Sequence, residues 1–255
     1  MERFTGKVVI VTGGASGIGE ATARSFAAQG AKVIIADIAD LAGQTIIDDL
    51  NKSGMTARFL HVDATREDDQ RELIAFAVSE FGRLDIAINV VGNIDPRQDT
   101  LEMLHEESLE MFMRAVDLNL GSCFLGMKYQ IRQMLKQGGG VIANTSSMAG
   151  LRVSDVTTAG YSAAKAGVIH LTEYAAVRYA RENIRVNVIA PGATATRNVL
   201  SVFSGEKLLE LAHTQPMGKL MRPEDMANAF AWVCSDEAAG VTGLTIPVAG
   251  GWAAV

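Results

Sequence analysis

The sequence predicts one α/β domain in which a doubly wound parallel sheet of about seven strands carries helices on both faces. Short β-branched runs alternate with longer stretches of helical periodicity along the 255 residues, as repeated βαβ units require. The first run, Lys7–Thr12, is continuously apolar, which indicates a strand buried on both faces. No linker, low-complexity tract or internal repeat interrupts this pattern, so a single domain over residues 1–255 is expected.

The first half of the chain is predicted to be an unbroken series of strands and helices. Short runs rich in valine, isoleucine and alanine predict the strands Lys7–Thr12, Ala31–Asp37, Ala57–Asp63 and Leu84–Asn89. Apolar residues at helical spacing predict the helices Gly19–Gln29, Ala39–Ser53 and Arg66–Phe81.

The second half continues the pattern with longer helices. A helical segment is predicted from about Thr100 to Gln137, with a break near Glu106–Ser108. The elements predicted after it are strand Gly139–Ser146, helix Ala159–Glu182, strand Ile184–Ala190, helix Pro223–Cys234 and strand Leu244–Val248. The segment 193–221 departs from the pattern, because it is predicted to be irregular although it is rich in apolar residues. Long irregular segments in compact domains are usually lids or binding loops, so we expect a substrate lid here.

Composition argues against several classes of protein. The chain is 48% apolar and 20% charged with a net charge of −6, and its basic residues are scattered, which disfavours a nucleic-acid surface. Cys123 and Cys234 stand apart in apolar stretches, so buried thiols are expected rather than a disulfide. The four histidines match no metal-ligand spacing. With no leader segment and no apolar run of about eighteen residues, a cytoplasmic protein without metal or membrane span is expected.

A glycine-rich segment, Thr12–Gly19, joins the first predicted strand to the first predicted helix. A diphosphate needs backbone N–H groups brought very close at a helix N-terminus, and a β-carbon would block that approach. A tight strand–helix turn would use the same residues, but the position behind a buried strand favours a Rossmann-type dinucleotide site. The loop residues predicted to contact the dinucleotide are Gly13, Ser16, Gly17 and Ile18.

A carboxylate at the end of the second predicted strand indicates which dinucleotide is bound. Asp37 stands where an acidic side chain can accept hydrogen bonds from both ribose hydroxyls. It would repel a 2′-phosphate, and neither Ser16 nor Ile38 supplies a cation, so NAD is predicted in preference to NADP. A helix N-cap is the alternative reading of Asp37. Asp63 and Ala64 follow the third strand and are predicted to lie at the adenine, although Asp63 could equally be a plain turn residue.

Three later residues complete an ordered set of motifs that spans nearly the whole chain. Ser147, Tyr161 and Lys165 form the pattern Ser…Tyr-x-x-x-Lys, and residues 12–19 form Thr-Gly-x-x-x-Gly-x-Gly. By these motifs the chain resembles the short-chain dehydrogenase/reductase family. The resemblance implies an enzyme that interconverts a secondary alcohol and a ketone, usually assembled as a homotetramer or a dimer.

The resemblance also assigns roles to residues that would be unremarkable alone. Asn119 falls on the catalytic asparagine of the family, and Thr196 falls on a residue that contacts the nicotinamide carboxamide. Lys165 is implied to bond the nicotinamide ribose beside Tyr161. The remaining cofactor contacts implied by family motifs are Asn89, Gly92, Pro191, Gly192 and Thr194.

The chemistry of the motif can be stated from the side chains. A base that removes a proton from an alcohol needs a pKa near the working pH, and a free tyrosine, with a pKa near 10, is too weakly acidic. Lys165 lies one helical turn from Tyr161, so its ammonium is predicted to lower the tyrosine pKa. Ser147 is predicted to hydrogen-bond the substrate oxygen, with Ser146 as a rival, and Asn119 to hold a proton-relay water.

Three motifs depart from the family pattern. Val90 and Val91 stand inside the motif that is commonly Asn-Asn-Ala-Gly, Thr194 stands where isoleucine or valine is usual, and Ala249 where an aspartate often precedes two glycines. These departures concern cofactor and subunit contacts rather than the acid–base residues.

The substrate is predicted to be apolar, such as a cyclic or terpenoid-like secondary alcohol. The apolar segment 193–221, residues Leu151–Val153, and the loop Ile94–Glu107 with Pro96, Arg97, Met103 and His105 are the predicted walls of the substrate pocket. The alternative is that these side chains only pack the lid onto the body.

Two further questions stay open at the level of sequence. A dinucleotide-binding regulator with idle catalytic residues is the alternative to an enzyme. The apolar helices near residues 101–136 and 159–182 and the tail Trp252–Val255 suit a subunit contact, although the tail could also pack within one monomer.

Overall fold

The computed structural model describes residues 2–93, 103–153 and 156–255, apart from the side chain of Val202. In these ranges seven strands form one parallel sheet in the order β3-β2-β1-β4-β5-β6-β7. The strands are β1 Val8–Thr12, β2 Lys32–Asp37, β3 Thr56–His61, β4 Ile86–Asn89, β5 Gly140–Thr145, β6 Ile184–Pro191 and β7 Thr245–Val248. The predicted doubly wound α/β fold is confirmed.

Helices cover both faces of the sheet. They are α1 Gly17–Ala28, α2 Asp40–Lys52, α3 Glu67–Phe81, α4 Leu109–Val116, α5 Ser122–Gln137, α6 Ala159–Tyr179, α7 Arg197–Val202, α8 Gly205–His213 and α9 Pro223–Cys234. None of the helices in the described ranges combines the length and apolar character that crossing a membrane needs.

Two apolar clusters, one on each face, hold the layers together. Alternate residues of a strand point to opposite faces, so Val9 and Val11 pack with α1, α2 and α9, whereas Val8 and Ile10 pack with α3, α5 and α6. Burying a valine or isoleucine side chain stabilises the fold by about 1.5–3 kcal/mol. Strand β1 is buried on both faces, and it appears in the sequence as a continuous apolar run.

The prediction of an irregular segment at 193–221 is wrong, since this segment contains α7 and α8. Thr196 and Ser204 accept hydrogen bonds from Val199 N and Lys207 N, at 3.3 Å each, and so cap the two helices. The helices have 6 and 9 residues, which is too short for helical periodicity to stand out from their apolar content.

The long helical segment that was predicted to end at Gln137 is interrupted by a π-helical turn at Asp117–Gly121, between α4 and α5. Single π turns are rare and often lie at functional sites, because the extra residue changes the direction of the side chains. Asn119 lies within this turn and is buried. The part of the predicted segment before Met103 lies outside the described residues.

Candidate active site

A cavity of about 830 Å³ opens at the carboxyl ends of the strands. β1 lies between β2 and β4, and open α/β sheets bind ligands at such a reversal of strand order. The predicted cofactor residues that line the cavity are Gly13, Ser16, Gly17, Ile18, Asp37, Asp63, Ala64, Gly92, Tyr161, Lys165, Pro191, Gly192, Thr194 and Thr196. The structure therefore brings together residues from six separate parts of the sequence.

The glycine-rich segment forms a tight turn that only glycine can complete. A β-carbon on Gly19 would lie 2.0 Å from the carbonyl oxygen of Gly13, and Gly13 itself has a φ of +68°. A β-carbon on Gly13 would lie 3.1 Å from the backbone nitrogen of Val91, so the Val90–Val91 departure keeps a close backbone contact with the turn. The N-terminus of α1 thereby faces open space at the cavity wall.

Asp37 is held at the edge of the cavity by two backbone groups. Its carboxylate accepts hydrogen bonds from Ala15 N and Ala39 N, both at 3.0 Å. A carboxylate has about four acceptor sites, so these bonds fix its orientation and leave capacity for ribose hydroxyls. The N-cap residue of α2 is Ala39, so the alternative reading of Asp37 as a helix N-cap is wrong.

Asp63 is engaged in a local turn. Its carboxylate accepts from Thr65 N at 3.0 Å and from the Thr65 hydroxyl at 2.6 Å. The turn role that the sequence left open is therefore present in the structure, and Asp63 still borders the cavity together with Ala64.

The two neighbouring serines after β5 have different environments. The Ser146 hydroxyl donates to the carbonyl oxygen of Lys165 at 2.7 Å and is buried. The Ser147 hydroxyl accepts from Ala149 N at 3.1 Å and lines the cavity with Tyr161, whose pKa it acts to lower. Ser146, in contrast, joins the end of β5 to α6.

The pKa of Tyr161 contradicts the prediction that Lys165 lowers it. Burial raises the pKa of Tyr161 above its usual value, and the hydrogen bond with Ser147 offsets this only in part. The Lys165 ammonium lies 5.6 Å from the centroid of the tyrosine ring, at its face rather than at its hydroxyl. Helical spacing brought the two side chains together, but it did not show how deeply the phenol is buried.

Lys165 is almost completely buried, at 1% exposure. Its ammonium donates to the carbonyl oxygen of Thr145 at 3.1 Å. Burial lowers the pKa of Lys165 from 10.5 to about 8, because a cation is poorly solvated there. The side chain can therefore gain or lose a proton close to neutral pH.

Asn119 lies behind the cavity wall, beside Lys165. Its amide nitrogen donates to Ala115 O at 2.9 Å and to Asn93 O at 3.1 Å. Its amide oxygen is buried and has no hydrogen-bond partner within the described ranges. A β-carbon on Gly92 would lie 2.5 Å from that oxygen and 2.6 Å from the Lys165 ammonium, so both groups border the space beside Gly92.

Asn89 does not line the cavity in the described part of the chain, and its side chain is bonded within the core. Its amide bonds Gln130 in both directions, at 3.1 and 2.8 Å, and donates to Asn144 at 2.8 Å. Asn144 in turn donates to the Thr172 hydroxyl at 2.9 Å. We call these four buried side chains the core amide network, and it joins β4, β5, α5 and α6 beneath the site.

The segment 193–221 covers the cavity. The side chain of Thr196 lies 3.2 Å from the point where a β-carbon on Gly17 would be, so the segment reaches the glycine turn. Its two ends are joined by a hydrogen bond from Ala195 N to Met221 O at 2.8 Å. Gln215, fully buried, donates to Ala193 O and Lys219 O at 3.1 and 2.8 Å. The segment that was predicted to be a lid borders the cavity, and it contains two helices.

The predicted substrate walls are only partly correct. Val153 is fully exposed, and neither it nor Leu151 borders the cavity in the described part of the chain. Ile94–Glu102, with Pro96 and Arg97, lie outside the described residues. The side chains that form the wall on this side include Ala149, Val156 and Thr157.

Several cavity residues were not predicted from the sequence. Phe203, Leu211 and Trp252 provide large apolar surfaces, and Arg197 is an exposed cation at the cavity wall. The apolar content of 193–221 was a signal for the first two. No sequence signal pointed to Trp252 as a cavity residue, because it lies far from Tyr161 along the chain.

The residues present fit a nicotinamide dinucleotide. The glycine turn leaves room for a diphosphate at the start of α1, and Asp37 offers acceptors at the adenosine side. At the other end, the amide oxygen of Asn119 and the hydroxyl of Thr145 are buried without hydrogen-bond partners among the described residues. Unpaired buried polar atoms are rare in folded proteins, so a ligand or water is expected to pair with them.

Comparisons with known proteins agree with this site. A family model described as enoyl-(acyl carrier protein) reductase matches residues 13–253. The chain is 40% identical to cis-4-hydroxycyclohexanecarboxylate dehydrogenase of Sinomonas cyclohexanicum over 254 residues, which cover 100% of this chain and 99% of that protein. It is 36% identical to cyclohexanol dehydrogenase of Acinetobacter sp. (strain SE19), over 98% of this chain and 96% of that protein.

A solved structure shows the same fold with a cofactor bound. A 7α-hydroxysteroid dehydrogenase in complex with NADH and 7-oxo glycochenodeoxycholic acid superposes with a TM-score of 0.91 at 34% sequence identity. The match covers 98% of this chain and 95% of that chain. The likeness therefore extends over the whole sheet and over the segment that covers the cavity.

Proposed function

Because the chain belongs to the short-chain dehydrogenase/reductase family, we propose that it is an NAD-dependent dehydrogenase that interconverts a cyclic secondary alcohol and its ketone. The observation that carries the proposal is the convergence of Ser147, Tyr161 and Lys165 on one cavity, with the Lys165 ammonium over the face of the tyrosine ring. This arrangement places an acid–base group and a hydrogen-bond donor side by side, as carbonyl–alcohol chemistry requires.

Tyr161 is the proposed general acid and base. In oxidation it takes the hydroxyl proton of the alcohol, and in reduction its phenol returns a proton to the ketone oxygen. Ser147 donates a hydrogen bond to the same oxygen and stabilises the negative charge that develops on it. Bound NAD would supply the acceptor for the hydride that leaves the carbinol carbon.

Lys165 and Asn119 are proposed to carry the proton between Tyr161 and solvent. With a pKa of about 8, Lys165 can exchange a proton near neutral pH. The unpaired oxygen of Asn119 borders the same space beside Gly92, where a water molecule would find a ready acceptor. The raised pKa of Tyr161 makes such a path necessary, because the buried phenol needs a partner to take up its proton during alcohol oxidation.

The preference for NAD over NADP rests on Asp37. Its carboxylate is fixed by two backbone bonds at the edge of the cavity and would meet a 2′-phosphate with like charge. A related protein of known structure binds NADH, which supports the same choice for this chain.

A ring-bearing substrate is supported by the cavity and by the relatives. Phe203, Leu211 and Trp252 form an apolar wall beyond Tyr161. The relatives named above act on cyclohexanol and on a hydroxycyclohexanecarboxylate. Arg197, the exposed cation at this wall, favours including a ring with a carboxylate among the substrates to be tested.

The decisive experiment is a panel of alcohols assayed with NAD by the absorbance of the reduced cofactor. The panel contains cyclohexanol, cis-4-hydroxycyclohexanecarboxylate, propan-2-ol and lactate. We expect turnover of the ring alcohols, lost by a factor of about 10²–10⁴ in Tyr161→Phe. Tyr179→Phe is the matched control, since Tyr179 lies on the same helix and does not line the cavity in the described part of the chain.

Three outcomes would contradict the proposal. A Tyr161→Phe variant that kept most of its turnover would exclude the proposed acid–base role. NAD binding without turnover of any alcohol or ketone would favour a dinucleotide-binding regulator instead. Activity on an enoyl thioester rather than an alcohol would favour the reaction in the description of the family model.

Association into a dimer or tetramer is proposed from exposed apolar side chains on α5 and α6. Phe124, Tyr174 and Val177 are 49%, 56% and 80% exposed. Large exposed apolar side chains that lie on packed helices indicate a protein contact, and a second copy of the chain would cover them. Light scattering coupled to size-exclusion chromatography tests this, and a monomer at micromolar concentration would contradict it.

A further inference from the structure

Trp252 borders the cavity from a distant part of the chain. It begins a short 3₁₀ helix, Trp252–Ala254, that follows β7. Its indole lines the same cavity as Ser147 and Tyr161, and the residue is partly buried. One of the two tryptophans of the chain thus belongs to the cavity that contains the proposed acid–base group.

The turn before Trp252 contacts the C-terminal part of the segment 193–221. Gly250 and Gly251 have φ values of +54° and +93°, a left-handed pair that turns the chain back toward the cavity. Met217 N donates to Gly250 O at 2.9 Å, and Pro216 lies 3.2 Å from the position of a β-carbon on Gly251. The turn that precedes Trp252 is therefore in direct contact with the segment 193–221.

A second contact with the short helix comes from the loop that follows Ser147. The Arg152 guanidinium donates to the carbonyl oxygen of Ala253 at 2.9 Å. Arg152 lies close to the catalytic serine in the sequence, and its own backbone N–H donates to Met148 O at 2.8 Å. The short helix therefore contacts both the segment 193–221 and the loop after Ser147, and these contacts restrict the position of Trp252.

The neighbours of Trp252 in the cavity wall determine what its indole can contact. Val156, Phe203 and Leu211 also line the cavity, and each has an apolar side chain. An indole face next to such residues offers a flat surface on which the CH₂ groups of a saturated ring can pack. A small acyclic alcohol would react at Ser147 and Tyr161 without filling this surface.

We propose that Trp252 makes the site selective for ring-bearing secondary alcohols by packing its indole against the ring, and that Arg152 is the positioning residue that holds it there. This inference rests on the proposed function, because it assigns the substrate class of the same cavity.

The first test compares two substrates in three variants. We expect Trp252→Ala to lower kcat/KM for cyclohexanol at least tenfold relative to propan-2-ol, mainly through KM, with the KM for NAD unchanged. Tenfold corresponds to about 1.4 kcal/mol, which is the burial of roughly two CH₂ groups. Trp252→Phe should keep most of the selectivity. Trp232→Phe is the matched control, since Trp232 lies on α9. An unchanged ratio of the two substrates in Trp252→Ala would overturn the proposal.

The second test reads binding without turnover. In Trp232→Phe the fluorescence comes from Trp252 alone, and in Trp252→Phe it comes from Trp232 alone. With saturating NAD, cyclohexanone should change the fluorescence of the first variant saturably and leave the second unchanged. No change in the first variant would refute the ring contact. Since NAD and a ketone do not react, this result separates failure of the proposed activity from failure of the Trp252 contact.

Arg152 is tested through the selectivity that it supports. Arg152→Ala should shift the cyclohexanol to propan-2-ol ratio in the same direction as Trp252→Ala, by a smaller factor. Arg152→Lys, which keeps a donor for the Ala253 carbonyl, should restore the ratio. A fall in kcat that is equal for both substrates would mean that Arg152 acts on the fold of the loop and not on Trp252.

Discussion

The Lys165 ammonium lies against the α-carbon of Gly92, at 2.6 Å from the point where a β-carbon on that glycine would be. Gly92 has a φ of +148°, a conformation that residues with a side chain rarely adopt. The glycine therefore provides both the backbone turn after β4 and the space in which the lysine side chain ends.

Gly92→Ala should reduce alcohol turnover about a hundredfold or more, because the new methyl group would displace the Lys165 ammonium and the Asn119 oxygen. Backbone strain should also lower stability by about 1–3 kcal/mol. Gly138→Ala is the control, since Gly138 also has a positive φ but no atom lies within 4 Å of its added β-carbon. The test compares kcat at a temperature where both variants are folded, and similar losses in the two variants would contradict the expectation.

Ser147→Ala should lower kcat by about 10²–10³, the usual cost of removing one donor to a developing oxyanion. Ser146→Ala should instead lower stability by about 1 kcal/mol, because it removes the hydrogen bond to Lys165 O. Steady-state kinetics and urea unfolding of both variants separate the two effects. A larger loss of kcat in Ser146→Ala would reverse the assignment of the two serines.

Lys165→Met should make the cofactor-free protein more stable at pH 7. The pKa of Lys165 is lowered from 10.5 to about 8 on folding, so the unfolded state binds more protons between these values. Stability of the unmodified protein therefore rises with pH through this window and carries the full penalty, about 3 kcal/mol, below pH 8. Losing the bond to Thr145 O offsets part of the gain.

Urea unfolding at pH 7 and pH 10 tests the sign of this effect. The advantage of Lys165→Met should shrink at pH 10, whereas Lys136→Met, at an exposed position of α5, should show little difference at either pH. An advantage that grows with pH would contradict a lowered lysine pKa.

Asp37→Asn should weaken the preference for NAD. The substitution keeps the shape of the side chain but removes the charge that repels a 2′-phosphate, so we expect the ratio of kcat/KM for NAD and NADP to fall at least tenfold. Asp40→Asn is the control, because Asp40 lies near the same strand end but pairs with His61. The prediction fails if the unmodified enzyme already uses both cofactors equally.

The sequence was sufficient to predict the strands and most residues that line the cavity. It was insufficient to predict properties that depend on burial in the folded protein. Short β-branched runs predicted all seven strands, and the run is continuous where a strand such as β1 is buried on both faces. The hydrogen bonds of Asn89 within the core could not be predicted, since a motif position does not tell which neighbours a side chain will have. The pKa of Tyr161 was misjudged for a related reason, as spacing along a helix gives proximity but not desolvation.

Trp252 could not be predicted from local pattern. Its place in the cavity depends on the left-handed turn at Gly250–Gly251 and on the bond from Arg152 to Ala253, and each joins segments far apart in the chain. The Ala249 departure lies at the same turn, where Ala249 packs closely against Gly192. Contacts of this kind become visible only when the fold is known.

The core amide network has a consequence for attempts to redesign this enzyme. Its four side chains connect β4 and β5 to α5, which follows the turn that carries Asn119, and to α6, which carries Tyr161 and Lys165. Side chains of 193–221 and of the short helix at Trp252 line the cavity instead. Libraries of variants confined to those two segments should therefore change the substrate range without disturbing the positions of Tyr161 and Lys165. Random mutagenesis of the whole chain would instead produce many variants that fold poorly.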